Sequence, residues 1–501
     1  MSAVPSDWKN KLFFGDNLEV LREHVANESV DLIYLDPPFN SDATYNILFK
    51  DKTGEKSEAQ IMAFEDTWRW GMESEKAFHE VVTTSSGILS NLLQSFRAFL
   101  GTNDMMAYLT MMAIRLRELH HVLKPTGTLY LHCDPTASHY LKILLDAVFG
   151  VRNYRNEIVW CYAGGGIPRK DFPRKHDSIF RYTKSDRYVY HPVFRPYTPG
   201  TLQRGRTKVK GKYAEAGLRP EGTPVNDWWT DVPKITSPTD PEKLGFQTQK
   251  PEALLDRVIR TSSNEGDLVL DPFCGCGTTV AVAERLNRRW VGIDITYPAI
   301  DLIIQRLHNA FEFKPSPSRD SPVKVSDLSP YEVFGIPKDL DGARALAELS
   351  RYRFEGWVRS KIGAIPAQDK RGADRGIDGL IPFFDDESGK AKKIVVQIKS
   401  GQVSVRDVRE LISVVSREKA LIGALITLNE PTRPMIEEAV GVGFYEPEHF
   451  KGRQYPRLQI LTVEDVLKGK RVQHPEVAPN AVFRRAARKL KGAQPEQGSI
   501  I

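Results

Sequence analysis

With 501 residues, 41% of them hydrophobic and 27% charged, the chain has the length for two or three domains with substantial cores and the composition of a globular protein rather than a disordered one. Its net charge of +6 is modest. Cys133, Cys161, Cys274 and Cys276 show neither Cys-x-x-Cys spacing nor a disulfide framework, which points to a reducing interior and argues against structural zinc. No signal peptide is read at the start and no apolar run reaches the roughly 18 residues of a membrane span, so no membrane association and a cytoplasmic location are expected.

In chain order, Phe13-Phe14-Gly15-Asp16-Asn17 closes a short apolar stretch, with Asp16 placed as a helix N-cap before a helix from Leu18 to His24. The run Val30 to Leu35 reads as a buried parallel strand, and Asp36-Pro37-Pro38-Phe39 forms the loop at its carboxyl end, where open α/β sheets bind ligands. Two prolines stiffen this loop and remove two donors, so that one carboxylate and free carbonyls face outward beside an aromatic face. Residues 40 to 70 are polar, aromatic and irregular, and are read as a long functional loop that grips DNA.

Apolar residues recur at helical spacing from Asp104 to Val122, a strand follows over Thr128 to Asp134, and Ser138 to Phe149 is another helix; this alternation predicts a doubly wound, mostly parallel α/β sheet. His132 is expected to be buried and satisfied by backbone. The rhythm stops between residues 164 and 245. From Arg169 to Lys212, thirteen Lys and Arg residues stand against Asp171, Asp177 and Asp186, a local excess of ten positive charges, with Tyr182, Tyr188, Tyr190 and Tyr197 interleaved. Such a segment suits phosphate contacts and base readout.

Gln247 to Pro251 precede an amphipathic helix from Glu252 to Ile259. A buried strand, Asp267 to Leu270, then leads into Asp271-Pro272-Phe273-Cys274-Gly275-Cys276-Gly277 and a helix from Thr278 to Leu286. Glycines at a strand mouth let backbone approach a ligand closely. The next strand, Arg289 to Ile295, carries Asp294, placed to accept hydrogen bonds from ribose hydroxyls. Residues 312 to 340, rich in Pro, Ser and Asp, read as a linker.

A second apolar rhythm begins with a helix over Arg344 to Ile362 that carries Glu355. Gly376-Ile377-Asp378-Gly379 feeds a strand, residues 385 to 393 turn a hairpin, and Ile394 to Gly401 return; strand alternation puts Gln397 and Lys399 on one face with Asp378 beside them. A carboxylate, an amide oxygen and a lysine so grouped suit a divalent ion and a water attacking a phosphodiester. Gly423 to Leu428 adds a core strand, and residues 471 to 501 form a basic tail.

Asp36 to Phe39 resembles the catalytic Asp-Pro-Pro-Tyr/Phe motif of amino-methylating DNA methyltransferases, and Phe273-x-Gly275-x-Gly277 resembles their S-adenosylmethionine motif, in the order of the β group, over about residues 11 to 311. The resemblance implies a Rossmann-like methyltransferase domain at 1–311 with a target-recognition region at about 164–245. It implies catalysis by Asp36, Pro37, Pro38 and Phe39, and cofactor contacts from Asp16, Asp36, Gln249, Lys250, Asp271, Phe273, Gly275, Gly277, Thr278 and Asp294. Asp before two prolines tilts the expected target to adenine N6 over cytosine N4. Residues 341–470 are similar to the Mrr-type branch of the PD-(D/E)xK nucleases, with Glu355, Asp378, Gln397 and Lys399 as catalytic positions and Glu355, Asp378 and Gln397 as Mg2+ ligands. The expected partner is double-stranded DNA in a restriction-modification role. A homodimer is left open, and with no Gly-x-x-x-x-Gly-Lys-Ser/Thr loop, ATP-driven movement would need a separate restriction or ATPase subunit. The alternatives are a second domain that clamps DNA without cutting, and a nucleic-acid-binding protein with no catalysis.

Overall fold

The computed structural model describes residues 8–38, 44–50, 56–65, 70–85, 87–163, 169–205, 218–237, 239–244, 246, 248–311, 330–366, 376–383, 391–447 and 452–475, with side chains left aside for 44–50, 56–65 and 204. Phe39, residues 312–329 of the expected linker and the tail beyond residue 475 lie outside these.

The larger sheet has nine strands: β1 (Asn10–Phe14), β2 (Val30–Leu35), β3 (Leu123–Cys133), β4 (Tyr154–Cys161), β5 (His176–Thr183), β6 (Trp228–Trp229), β7 (Leu268–Asp271), β8 (Arg289–Asp294) and β9 (Tyr331–Phe334). Their spatial order is β6-β4-β5-β3-β2-β7-β8-β1-β9. Only β5 runs against its neighbours β3 and β4; every other pairing is parallel. Helices cover both faces: α1 (Asn17–His24), α2 (Asp104–Val122) and α3 (Ser138–Phe149) on one, α4 (Glu252–Ser262), α5 (Thr278–Arg285) and α6 (Tyr297–Phe311) on the other. The central strands β2 and β7 are mostly apolar because both faces are buried: every residue of β7, and all of β2 but Asp31, is out of solvent.

Four local readings change. Residues 44–50 and 56–65, expected as loop, are two antiparallel strands. The basic segment is not all surface: its residues 176–183 are β5, a core strand between β3 and β4, in which Ile179, Phe180 and Tyr182 are buried, Asp177 bonds to His132 and Tyr162, and Arg181 lies over the rings of Tyr130, Tyr188 and Tyr190. The described end of the expected linker is β9, which adds to the edge of the sheet through Asn10↔Tyr331 and Phe13↔Phe334, with the Phe13 and Phe334 rings stacked at 4.8 Å. The helix read over 344–362 is two, α7 (Leu340–Leu349) and α8 (Arg351–Lys361), parted where Ser350 turns extended (φ −159°) and accepts the Arg353 amide through its hydroxyl.

The smaller sheet comprises β10 (Gly379–Phe383), β11 (Lys392–Lys399), β12 (Ile422–Thr427) and β13 (Leu458–Thr462), in that spatial order, the first pair antiparallel and the rest parallel. Helices α9 (Val405–Arg417) and α10 (Arg433–Gly441) pack on one face. Phe354 and Trp357 of α8 belong to an apolar cluster that runs without a break from Leu12 and Trp290 of the large sheet to Ile394 and Val396 of the small one.

Candidate active site

Two proline- and glycine-bearing corners meet because their strands are neighbours. β2 pairs with β7 in register Leu32↔Val269 and Ile33↔Leu270, so both carboxyl ends open on one edge. At that edge lies a cavity of about 240 Å³, lined on one side by Asp36, Pro37 and Pro38 and on the other by Phe273, Gly275 and Asp294. A smaller recess of about 50 Å³ shares Asp36, Lys250, Phe273 and Gly275 with it and reaches Asp271 and Thr278. The strand order turns at β7, the position at which doubly wound sheets form ligand crevices.

The glycine corner is built on backbone only glycine tolerates well. Gly275 (φ +48°) and Gly277 (φ +73°) are in the left-handed region, and a Cβ on Gly277 would stand 2.6 Å from the Ile303 side chain. The Gly275 amide donates to Asp294 Oδ2 at 2.9 Å, while Asp294 Oδ1 accepts from the Thr296 amide (2.8 Å) and hydroxyl (2.7 Å). Asp271 accepts from the Phe273 amide at 3.0 Å. Burial, the largest influence on each, pushes the Asp271 carboxyl up to about 7 and that of Asp294 up to about 6.

At the proline corner the Lys250 ammonium donates to the Asp36 carboxylate, both side chains being largely buried. Gln249, expected at the cofactor, lines the small recess, but its amide is committed to its own loop: Nε2 donates to the Glu242 carbonyl (2.5 Å) and Oε1 accepts from the Leu244 amide (2.9 Å). The Thr278 hydroxyl likewise braces the loop, donating to the Lys250 carbonyl at 3.2 Å and accepting from Arg306 at 3.1 Å.

Asp16 is both cap and cavity wall. It accepts the Leu18 amide at 2.8 Å and takes two contacts of 3.1 Å from Nη2 of the buried Arg115. Arg115 also donates to Asn17 Oδ1 (2.6 Å), whose Nδ2 donates to the Pro272 carbonyl (2.7 Å), so one buried chain ties the end of β1 to the glycine corner. The sequence reading missed Asn17, Arg115, Phe246 and Thr296, which line the cavity together with Thr248 of the segment before α4. Asn17 carried a signal, standing beside Asp16 at a strand mouth; Arg115, inside an amphipathic helix, carried none.

Behind the proline corner, His132 is fully buried, bonded by side chains rather than backbone: Tyr34 Oη meets its Nδ1 at 2.8 Å and Asp177 Oδ2 its Nε2 at 3.1 Å. The His132 contact, together with the Tyr162 hydroxyl at 3.0 Å, holds the Asp177 carboxyl below the ordinary range against its burial.

In the smaller sheet, Asp378 lies beside Gln397, since Gly379 pairs with Val396. The Asp378 carboxylate accepts the Ile398 amide at 2.7 Å, and its pKa is raised, by burial first and then by Glu355. Glu355 pairs with Arg351 at 2.7 Å and Lys399 with Asp407 at 3.8 Å. Gln397 is buried with Nε2 on the Gly376 carbonyl (2.5 Å), its Oε1 having no hydrogen-bond partner among the described residues. Asp378, its pKa raised, and Glu355, already paired with Arg351, fit a divalent ion poorly, and among the described residues no group of three His, Cys, Asp or Glu side chains comes together to hold one. Nor is any helix among them long and apolar enough to cross a membrane.

Against known proteins, residues 30–305 match the N6/N4 methyltransferase family model, described as DNA methylase, and the chain belongs to that family. Residues 351–467 match the model of a NACHT-associated inactive restriction endonuclease. Among curated relatives, type II methyltransferase M.HpaI of Haemophilus parainfluenzae is 35% identical over 198 residues, covering 39% of this chain and 58% of its own length. Type II methyltransferase M.BamHI of Bacillus amyloliquefaciens is 30% identical over 301 residues, covering 60% of this chain and 57% of its own length. The chain thus spans little more than half of those two relatives. DNA adenine methyltransferase YhdJ of Escherichia coli K12 is 26% identical, with 60% of this chain and 84% of that one covered. The solved cytosine-N4-specific PvuII DNA methyltransferase aligns at 14% identity with a TM-score of 0.35, covering 59% of this chain and 85% of that one.

Proposed function

We propose that the chain transfers a methyl group from S-adenosylmethionine to the exocyclic amine of a DNA base, with adenine N6 as the target. The observation that carries this reading is the shared cavity: the Asp36-Pro37-Pro38 corner and the Gly275 corner line opposite sides of one pocket on adjacent strands. The donor, bound along the glycine corner with Asp294 and Asp16 at its ribose and base, supplies an electrophilic sulfonium methyl. An exocyclic amine is a poor nucleophile because its lone pair is delocalised into the ring. The Asp36 carboxylate and the Pro37 carbonyl are suited to accept hydrogen bonds from its two N–H groups and localise that pair on nitrogen as the new C–N bond forms and the C–S bond breaks, after which one of the two protons leaves the nitrogen to the carboxylate or to solvent. The base must first leave the duplex, at a cost of a few kcal/mol, and Phe39 is the residue we assign to stack on it. Asp preceding two prolines and the adenine-specific relative support adenine over cytosine. Double-stranded DNA is the partner, held by the exposed part of the basic segment, including Arg169, Lys170, Arg174 and Arg187.

For the second domain, the poor ligand set and the likeness to a family named inactive favour a DNA-contacting, non-cutting module over a magnesium-dependent nuclease. Incubating the full chain with labelled S-adenosylmethionine and duplex DNA, followed by nucleoside mass spectrometry, tests the first reading. N6-methyladenine formed by the native chain and absent with Asp36→Ala is expected; equal labelling by the variant, or N4-methylcytosine as product, overturns the assignment. Cleavage of unmethylated plasmid with Mg2+, lost in Asp378→Ala, would overturn the second.

A further inference from the structure

One residue of the methyl-donor cavity wall, Asp16, is met from the second domain. Arg353, on α8 of the second domain, reaches Asp16 Oδ2 at 3.8 Å and Glu19 at 3.5 Å, with its own side chain 10% exposed. Asp16 lines the cavity and is linked through Arg115 and Asn17 to the Pro272 carbonyl. We propose that Arg353 is a positioning residue of this cavity: by holding the Asp16 carboxylate alongside Arg115, it lets docking of the second domain set the affinity for the methyl donor. The inference rests on the assignment of the cavity to S-adenosylmethionine.

Three observations separate this role from plain scaffolding. First, α8 is already anchored by Phe354 and Trp357, both fully buried, and an added ion pair at 3.5–3.8 Å contributes little to docking by comparison. Second, Asp16 and Glu19 place two carboxylates at the first turn of α1, and Arg115, also held by Asn17 and the Met111 carbonyl, is shared among several acceptors. A second cation therefore changes how firmly Asp16 is oriented. Third, Glu355, the residue that would serve a nuclease centre, sits two positions along the same helix, pairs with Arg351 and lies within electrostatic reach of Asp378 in the smaller sheet. Arg353, by contrast, pairs with a residue of the cavity lining, Asp16, without lining the cavity itself.

The test is calorimetric titration of the full-length chain with S-adenosylmethionine, paired with steady-state methylation kinetics. Arg353→Ala is expected to weaken donor binding and raise its KM by about fivefold, the factor of a part-buried ion pair, with kcat at saturating donor within about twofold of native. Arg353→Lys is expected to restore most of the affinity. Lys361→Ala removes a different contact of the same docked helix, the ammonium over the Tyr297 ring at 5.4 Å, outside the cavity lining, and is expected to leave KM unchanged. By linkage, donor binding should in turn slow amide exchange across residues 351–361. Native affinity in Arg353→Ala, a loss of kcat in place of affinity, or an equal effect from Lys361→Ala overturns the inference while leaving the methylation assignment intact. No saturable donor binding by the native chain overturns both.

Discussion

The Lys250 ammonium bonds the Asp36 carboxylate across the cavity mouth, joining the segment before α4 to the proline corner after β2. A carboxylate with a largely buried cation on it is held in one orientation, ready to accept protons from an amine entering beside it. Lys250→Ala is therefore expected to lower methyl transfer about tenfold to a hundredfold, and Asp36→Ala to lower it by two to three orders of magnitude, about the loss on removing a group that stabilises developing charge. Initial rates at saturating donor measure both; a Lys250→Ala enzyme as fast as native would deny the pairing any role.

Acidity at the glycine corner makes the stability of the unliganded chain depend on pH. Asp271 and Asp294 titrate near 7 and near 6 in the fold, against about 3.9 for an unfolded aspartate. The folded chain then binds more protons than the unfolded one through this interval. The stabilisation is fully present below about pH 4 and is lost as the pH rises through 6 and 7. The melting temperature without ligands is expected to fall between pH 5 and pH 8, and Asp271→Asn to recover a few degrees at pH 8 and none at pH 5. Scanning fluorimetry across that range decides it; a rise in Tm of the native chain would contradict it.

Gly277 offers a steric test. An alanine there meets Ile303 at 2.6 Å on a backbone of φ +73°, so Gly277→Ala is expected to cost about 1–3 kcal/mol in stability and to abolish measurable donor binding as the loop shifts. Denaturant unfolding and titration with S-adenosylmethionine report the two effects; tight binding by this variant would show that the loop geometry is not required.

His132 is expected to matter for folding rather than for the donor. Truncation in His132→Ala leaves Tyr34 Oη without its imidazole and strips a bond from buried Asp177, a loss of about 2–4 kcal/mol. Urea unfolding should show this, with donor affinity within about twofold of native. A stable His132→Ala protein would mean that the buried chain of side chains contributes nothing.

Much of the site was legible in the residues. Two prolines and two spaced glycines declare local backbone requirements, and each followed an apolar run long enough to read as a buried strand, so both corners could be placed at strand ends. What could not be read depended on context. β9 is four residues long and half-buried, with no periodicity to distinguish it from the linker before it. β5 hides in a stretch whose charge reads as surface, since Arg181 is buried among the rings of Tyr130, Tyr188 and Tyr190 and Asp177 is bonded to His132. The Gln-x-Lys strand was placed correctly beside Asp378, yet which way an amide turns and which donor claims a carboxylate are packing outcomes that leave no trace in spacing.

The sequence by itself determined the doubly wound class, the two motif corners and the presence of a second α/β domain, because strand burial, proline stiffness and glycine φ are properties of a few adjacent residues. Only the tertiary structure decided which distant groups share a cavity: Asp36 and Lys250 lie 214 positions apart, Asp16 and Arg115 lie 99 apart, and Arg353 arrives from the second domain. Such pairs form when close packing of the two sheets and their helices brings a partner within reach of each of these buried charges, a condition set by three-dimensional shape and not by neighbouring residues.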